Sequence, residues 1–171
     1  MKKIRNILII ALALLLQSTI FGRFNIMGIR PDLAMLVLIF LVNSSGHVEG
    51  IIYGFIIGLI QDAYTPEFLG TNAFTMSLMA FLLDNVQERF TVENYSVKAF
   101  VAFFACMVHD LIFLMFYTKL DYSIMINLFI RESLLGAVYT SGILFIIVVV
   151  WEFTVSGGFD FVIRGLFEFR R

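Results

Sequence analysis

The sequence predicts an all-α polytopic membrane protein, a bundle of six transmembrane helices, from three observations. Of its 171 residues, 60% are hydrophobic and only 15% charged, and the mean hydropathy is +0.94, far from the composition of a soluble domain. Apolar runs fill most of the chain, with short polar turns between them. Lysine and arginine are distributed unevenly between alternate turns, as they are in proteins that cross a membrane repeatedly. A net charge of -1 excludes the broad basic field that nucleic-acid binding needs. The lone cysteine, Cys106, lies in an apolar run and can form neither an intrachain disulfide nor a thiolate cluster.

The first apolar stretch, Ile7 to Phe21, follows "MKKIR". That pairing is shared with signal peptides, but "QSTIFGRF" offers no small-residue cleavage site, so an uncleaved first helix is expected. The second stretch, Pro31 to Asn43, opens on "RPD". Proline suits the first helical turn, and Asp32 faces the positive end of the helix dipole. The third, Glu49 to Asp62, and the fourth, Thr71 to Asp84, flank "AYTPEFLG", where Pro66 and Gly70 punctuate a turn. The second to fourth stretches reach only ~21 Å at ~1.5 Å per residue, against a hydrocarbon core of ~30 Å. They need extra turns, local thinning or burial among neighbours. The fifth stretch is Val97 to Tyr117 and the sixth Glu132 to Phe153. Residues 1–155 form the predicted six-span domain. In the tail, 156–171, Asp160, Arg164, Glu168 and Arg171 share one helical face and Phe159, Val162, Ile163, Leu166 and Phe167 the other. This is the pattern of a helix lying in the interface, with a frayed end as the alternative.

Six spans with both ends cytoplasmic put Lys2, Lys3, Arg5, Arg89, Lys98, Arg164, Arg170 and Arg171 inside, and Arg23, Arg30, Lys119 and Arg131 outside. That two-to-one bias sets the expected orientation in the cytoplasmic membrane.

Within "EGIIYGFIIGLIQDA" (49–63), Gly50, Gly54, Gly58 and Asp62 recur every fourth residue and form one stripe on a helix. In lipid, close approach over small residues supplies the dispersion contacts that apolar burial cannot. The glycines mark either an internal packing seam or a groove for a partner protein. Asp62 and Asp110 each lie roughly 18 to 20 Å from the cytoplasmic side, in the outer half. Carboxylates there need partners, and Arg131 and Arg30 are the candidates. The expected result is a polar pocket opening outward, serving either a ligand or partner or simply fixing helix register. His109 points about 100° away from Asp110 and reads as a hydrogen-bonded structural residue. Asp84 reads as a helix end.

Catalytic motifs are absent: there is no H-E-x-x-H, G-x-S-x-G or P-loop, and the two histidines, His47 and His109, cannot build a histidine-rich metal centre. No enzyme activity, metal or cofactor is expected.

"RPDLAMLVLIFLV", "GFIIGLIQDAYTPEFLGTNAFTMSLMAFLL" and "VHDLIFLMFY" together resemble the bacterial rod-shape-determining MreD family. The resemblance rests on Arg30, Pro31 and Asp32, on Gly54, Phe55, Gly58 and Asp62, on Leu69 and Gly70, and on Asp110, in order over roughly residues 1–155. It implies a non-enzymatic scaffold subunit of the elongation complex, which maintains rod shape by guiding lateral peptidoglycan synthesis. MreC is the implied direct partner, with MreB, RodA and its transpeptidase beyond. The family's fold is similar to the substrate-binding subunits of energy-coupling-factor transporters, so capture of a small, vitamin-type solute is the alternative function.

Overall fold

The computed structural model describes residues 2–19, 31–64, 66–89 and 95–156. Along the chain come α1 (Lys2–Thr19), α2 (Leu33–Ser44), α3 (His47–Asp62), a 3-10 turn (Pro66–Phe68), α4 (Thr71–Arg89) and α5 (Tyr95–Tyr117). Then α6 (Tyr122–Leu128) passes through a π-helical turn (Phe129–Ser133) directly into α7 (Leu134–Ser156). Counted with α6, the π turn and α7 as one run, the described residues form six helical segments and no strand. The expected interfacial tail lies outside the described residues, as do Arg23 and Arg30.

The shortest of the six segments is central. α2 has 12 residues and packs against α1, α3, α4, α5 and α7. Its Met35, Leu38 and Leu41 are fully buried and meet Ile10 and Leu14 of α1, Ile57 of α3, Met76 of α4 and Ala137 of α7 in one apolar core. A helix too short to span hydrocarbon is tolerated where protein surrounds most of it, and on α2 only Phe40, Asn43 and Ser44 are exposed. α3 and α4 instead gain length, starting at His47 and ending at Arg89.

Polar contacts fix the antiparallel order. Near the start of α1, Asn6 donates through Nδ2 to Ser45 Oγ and Tyr53 Oη, each at 3.4 Å. Lys3 pairs with Glu49 at 3.0 Å, and this hydrogen bond, followed by the carboxylate's charge, raises the pKa of its fully exposed ammonium. At the other end of α1, Gln17 Oε1 accepts from the Ala34 amide at 3.0 Å. His47 at the start of α3 hydrogen-bonds Asp84 of α4, so Asp84 joins two helices as well as lying near a helix end.

The sixth segment begins at Tyr122, well before the expected Glu132. Asp121 caps it, accepting from the Ser123 and Ile124 amides at 3.1 and 3.3 Å. The reversal from α5 uses left-handed backbone at Lys119 (φ 50°) and Leu120 (φ 66°). Arg131 and Glu132 therefore sit about two and a half turns inside the helix rather than at its start. Two stretches, Val97–Tyr117 and Tyr122–Val150, are long and apolar enough to cross a membrane, and they bury only 28% and 17% of their most apolar windows. Their outer faces carry Phe100, Phe104, Ile130, Val138, Ile146 and Val150, all exposed, a surface suited to hydrocarbon rather than water.

α3 and α4 form the most extensive helix pair, and the glycine stripe explains it. A methyl group added at Gly54 would lie 2.6 Å from the Met76 carbonyl oxygen and 3.2 Å from Ala80 Cβ. One added at Gly58 would overlap the Asn72 carbonyl and Ala73 Cα. Gly50 faces α2 instead, where the added group would meet Val42 Cγ2 at 3.3 Å. The stripe thus divides between two neighbours, and only its last two glycines have rigid backbone across from them.

Alanine substitution should therefore be graded. Gly58→Ala and Gly54→Ala should each lower the stability of the purified protein in detergent by on the order of 1 to 3 kcal/mol, because backbone must move. Gly50→Ala should have less effect, since a valine side chain can shift. Gly142→Ala on α7, where the added group meets nothing within 4 Å, should be neutral or stabilising by up to about 1 kcal/mol. Thermal unfolding of the four variants checks the order.

Candidate functional site

Asp62 ends α3 and is completely buried. Its Oδ2 accepts from the amides of Gly70 at 2.9 Å and Ala73 at 3.0 Å, and its Oδ1 from Asn72 at 2.9 Å. These donors surround the start of α4, where the first amides have no partner within the helix. The cap of α4 is thus supplied by the preceding helix, in the favourable direction for the helix dipole. Gly70, with φ at +96°, turns the chain so that its own amide joins the set. The linker is held on the bundle by Phe68, whose ring lies 4.9 Å from that of Tyr117 on α5.

This geometry corrects the sequence expectation for the charge of Asp62. Arg131 is exposed and sits on the π turn, which packs against α5, α6 and α7. It borders a shallow cleft with Ser123, Ile124, Asn127, Leu128 and Glu132. Asp62 makes no ion pair with it, because three backbone donors already occupy the carboxylate and their positive helix end replaces a basic side chain. Nor does a pocket open at Asp62, which has 0% exposure. Arg30, the other expected partner, lies outside the described residues. Of the family-motif residues, Pro31 is fully buried, while Phe55 and Leu69 are exposed.

A second polar group joins α2, α5 and α7. Asp32 caps α2, accepting from the Met35 amide at 3.0 Å through Oδ1, and its own amide donates to Thr140 Oγ1 on α7 at 3.0 Å. On α5, His109 Nδ1 and Asp110 Oδ1 are 3.0 Å apart. The neighbours, expected to diverge, are joined because the aspartate side chain bends back to the ring. Asp32 is within electrostatic reach of His109, and Cys106, one turn before His109, lies beside Thr140. Asp62 and Asp110 thus belong to separate groups. Sequence reasoning missed Thr140 and Cys106 here. The spacing of Cys106 and His109, three residues apart on one helical face, was the available signal. Among the described residues no three side chains cluster as a metal ion requires.

Replacing Asp62 tests the interhelical cap. Asp62→Ala should destabilise the bundle by on the order of 2 kcal/mol and accelerate hydrogen exchange at the Gly70, Asn72 and Ala73 amides. Asp62→Asn keeps one acceptor oxygen and should fall between. Unchanged exchange at those three amides in Asp62→Ala would show that the carboxylate does not hold them.

Comparison with known proteins was made by family, by sequence and by structure. The family model described as rod shape-determining protein MreD matches residues 2–169. No curated protein and no solved structure matches the chain. The helical fold, the apolar exterior and a family match that covers nearly the whole chain converge: the protein belongs to the MreD family of membrane proteins, which act in rod-shape determination.

Proposed function

We propose that the protein is a non-enzymatic scaffold subunit of the elongation complex, holding MreC in the membrane and through it guiding lateral peptidoglycan synthesis with MreB, RodA and its transpeptidase. The single observation that carries this reading is the family match over residues 2–169. The arrangement of side chains supports it. Polar groups inside the bundle are spent on joining helices: Asn6 to Ser45 and Tyr53, His47 to Asp84, Asp62 to the start of α4, and Asp32 to Thr140. A scaffold needs such a fixed bundle with a wide apolar exterior for a single-span partner.

The bundle crosses the membrane six times with both termini cytoplasmic. Support comes from the antiparallel order and from the basic residues near one end, Lys2, Lys3, Arg5, Arg89 and Lys98. Solute capture, as in the substrate-binding subunits of energy-coupling-factor transporters, lacks such support, since Asp62, one of the two acids expected to line an outward pocket, is enclosed by backbone and lies apart from Asp110.

Two measurements test this reading. Tagged protein should co-purify MreC from membranes, and its loss should turn rods into round cells. Intact rods after deletion, or purification free of MreC from cells that contain it, would contradict the scaffold role. For topology, a reporter active only in the cytoplasm should work when fused after Arg171 and be silent when inserted at Asp121. The reverse pattern would remove the six-span arrangement.

A further inference from the structure

The start of the last helical run carries a charge that the bundle leaves unanswered. Tyr122–Val150 has 29 residues, ~43 Å at ~1.5 Å per residue against a hydrocarbon core of ~30 Å. Trp151 and Glu152 follow it in the sequence, residue types that mark a membrane surface. Counted back from there, about 20 residues fill the core, so Arg131 stands where hydrocarbon gives way to headgroups. α6, which precedes it, buries no residue and extends into the headgroup layer. Arg131 is exposed and forms no ion pair among the described residues, not even with adjoining Glu132. Both lie on the π turn, a break in regular helix of a kind that recurs at functional sites. Ser123 and Asn127 border the same shallow cleft of about 220 Å³ as Arg131, and the Asn127 side chain has no hydrogen-bond partner among the described residues. A guanidinium, a side-chain amide and a hydroxyl are all donors at neutral pH, with no choice of tautomer.

We propose that this cleft binds a phosphate ester, which Arg131 pairs with while Asn127 and Ser123 donate to its other oxygens. The planar fork of a guanidinium matches two phosphate oxygens at once. Phosphate is also the anion that a layer of lipid headgroups presents at this depth. Glu132 borders the cleft with Ile124 and Leu128, and its charge opposes the ligand, so it holds the affinity below what Arg131 alone would give. The phosphate can come from a lipid headgroup or from a soluble ester. The site is separate from the scaffold reading, which assigns none of these residues to MreC. Only the choice of leaflet, the outer one, rests on the proposed topology.

The full chain, purified in a maltoside detergent that carries no phosphate, is titrated with dioctanoyl phosphatidylglycerol, with dioctanoylglycerol and with glycerol phosphate, and its unfolding temperature is followed. Phosphatidylglycerol should raise that temperature saturably, while dioctanoylglycerol, which has the acyl chains without the phosphate, should not. Arg131→Gln should weaken the response on the order of tenfold to a hundredfold, and Asn127→Ala by less. Glu132→Gln should strengthen it. Lys119→Gln removes an exposed cation outside the cleft and should leave it unchanged. Should Arg131→Gln not fold, Asn127→Ala and Glu132→Gln, which shift the affinity in opposite directions, still decide. An Arg131-dependent response to glycerol phosphate as strong as that to the lipid would assign the site to soluble esters; a response to the lipid alone would assign it to headgroups. Equal responses to phosphatidylglycerol and dioctanoylglycerol would overturn the site, as would equal losses in Arg131→Gln and Lys119→Gln, or a weaker response in Glu132→Gln.

Discussion

The contact between the Asp62 carboxylate and the first amides of α4 holds the centre of this bundle together. Three hydrogen bonds of 2.9 to 3.0 Å converge on one fully buried carboxylate. Such a group is stable away from water only when its lone pairs and its charge are both answered. The amides do the first, and the positive end of the helix dipole does much of the second. The contact in turn requires α4 to lie against α3 at backbone distance. Gly58, one turn before Asp62, and Gly54, two turns before, make that approach possible. The stripe and the terminal carboxylate are therefore one device: small residues bring the helices together, and the acid locks the start of the second to the end of the first.

The same solution recurs at other helix starts. Asp32 caps α2 at the place where α2 meets α7, and Asp121 caps α6 after the turn from α5. At Asp32, as at Asp62, an acid that an apolar environment would penalise is placed against unpaired amides that it would penalise as well, whereas Asp121 is exposed and caps its helix at the surface. One set of bonds removes both penalties, without any basic side chain. Asp110 is the exception. It turns to His109 and not to a helix start, and the far nitrogen of that histidine joins Asn6 Oδ1 and Gln61 Oε1 as buried polar atoms without a hydrogen-bond partner among the described residues.

The helical segments were legible because apolar runs and turn residues report directly on burial and chain reversal. The glycine period was legible for the same reason, since spacing along a helix fixes a shared face. The start of the last segment was not. Arg131 and Glu132 read as a helix end by charge, but Asp121 caps a helix ten residues earlier and a π turn carries it past them. Depth along the membrane was inferred for Asp62 and Asp110, yet depth alone cannot choose between a basic side chain and a row of backbone amides as the partner. That choice depends on where the linker 63–70 returns, and Gly70 with its positive φ settles it. Thr140 was missed because a threonine in an apolar run carries no periodic signal.

The central claim is that backbone amides, and not Arg131, neutralise Asp62. A double-mutant cycle on unfolding free energy in detergent, with Asp62→Asn, Arg131→Gln and the double variant, tests it most directly. The expected coupling energy lies within about 0.5 kcal/mol of zero, with the loss in the double variant equal to that of Asp62→Asn plus the small effect of Arg131→Gln. A coupling of about 1 kcal/mol or more, with Arg131→Gln restoring part of the stability lost in Asp62→Asn, would contradict it and return the charge of Asp62 to an ion pair.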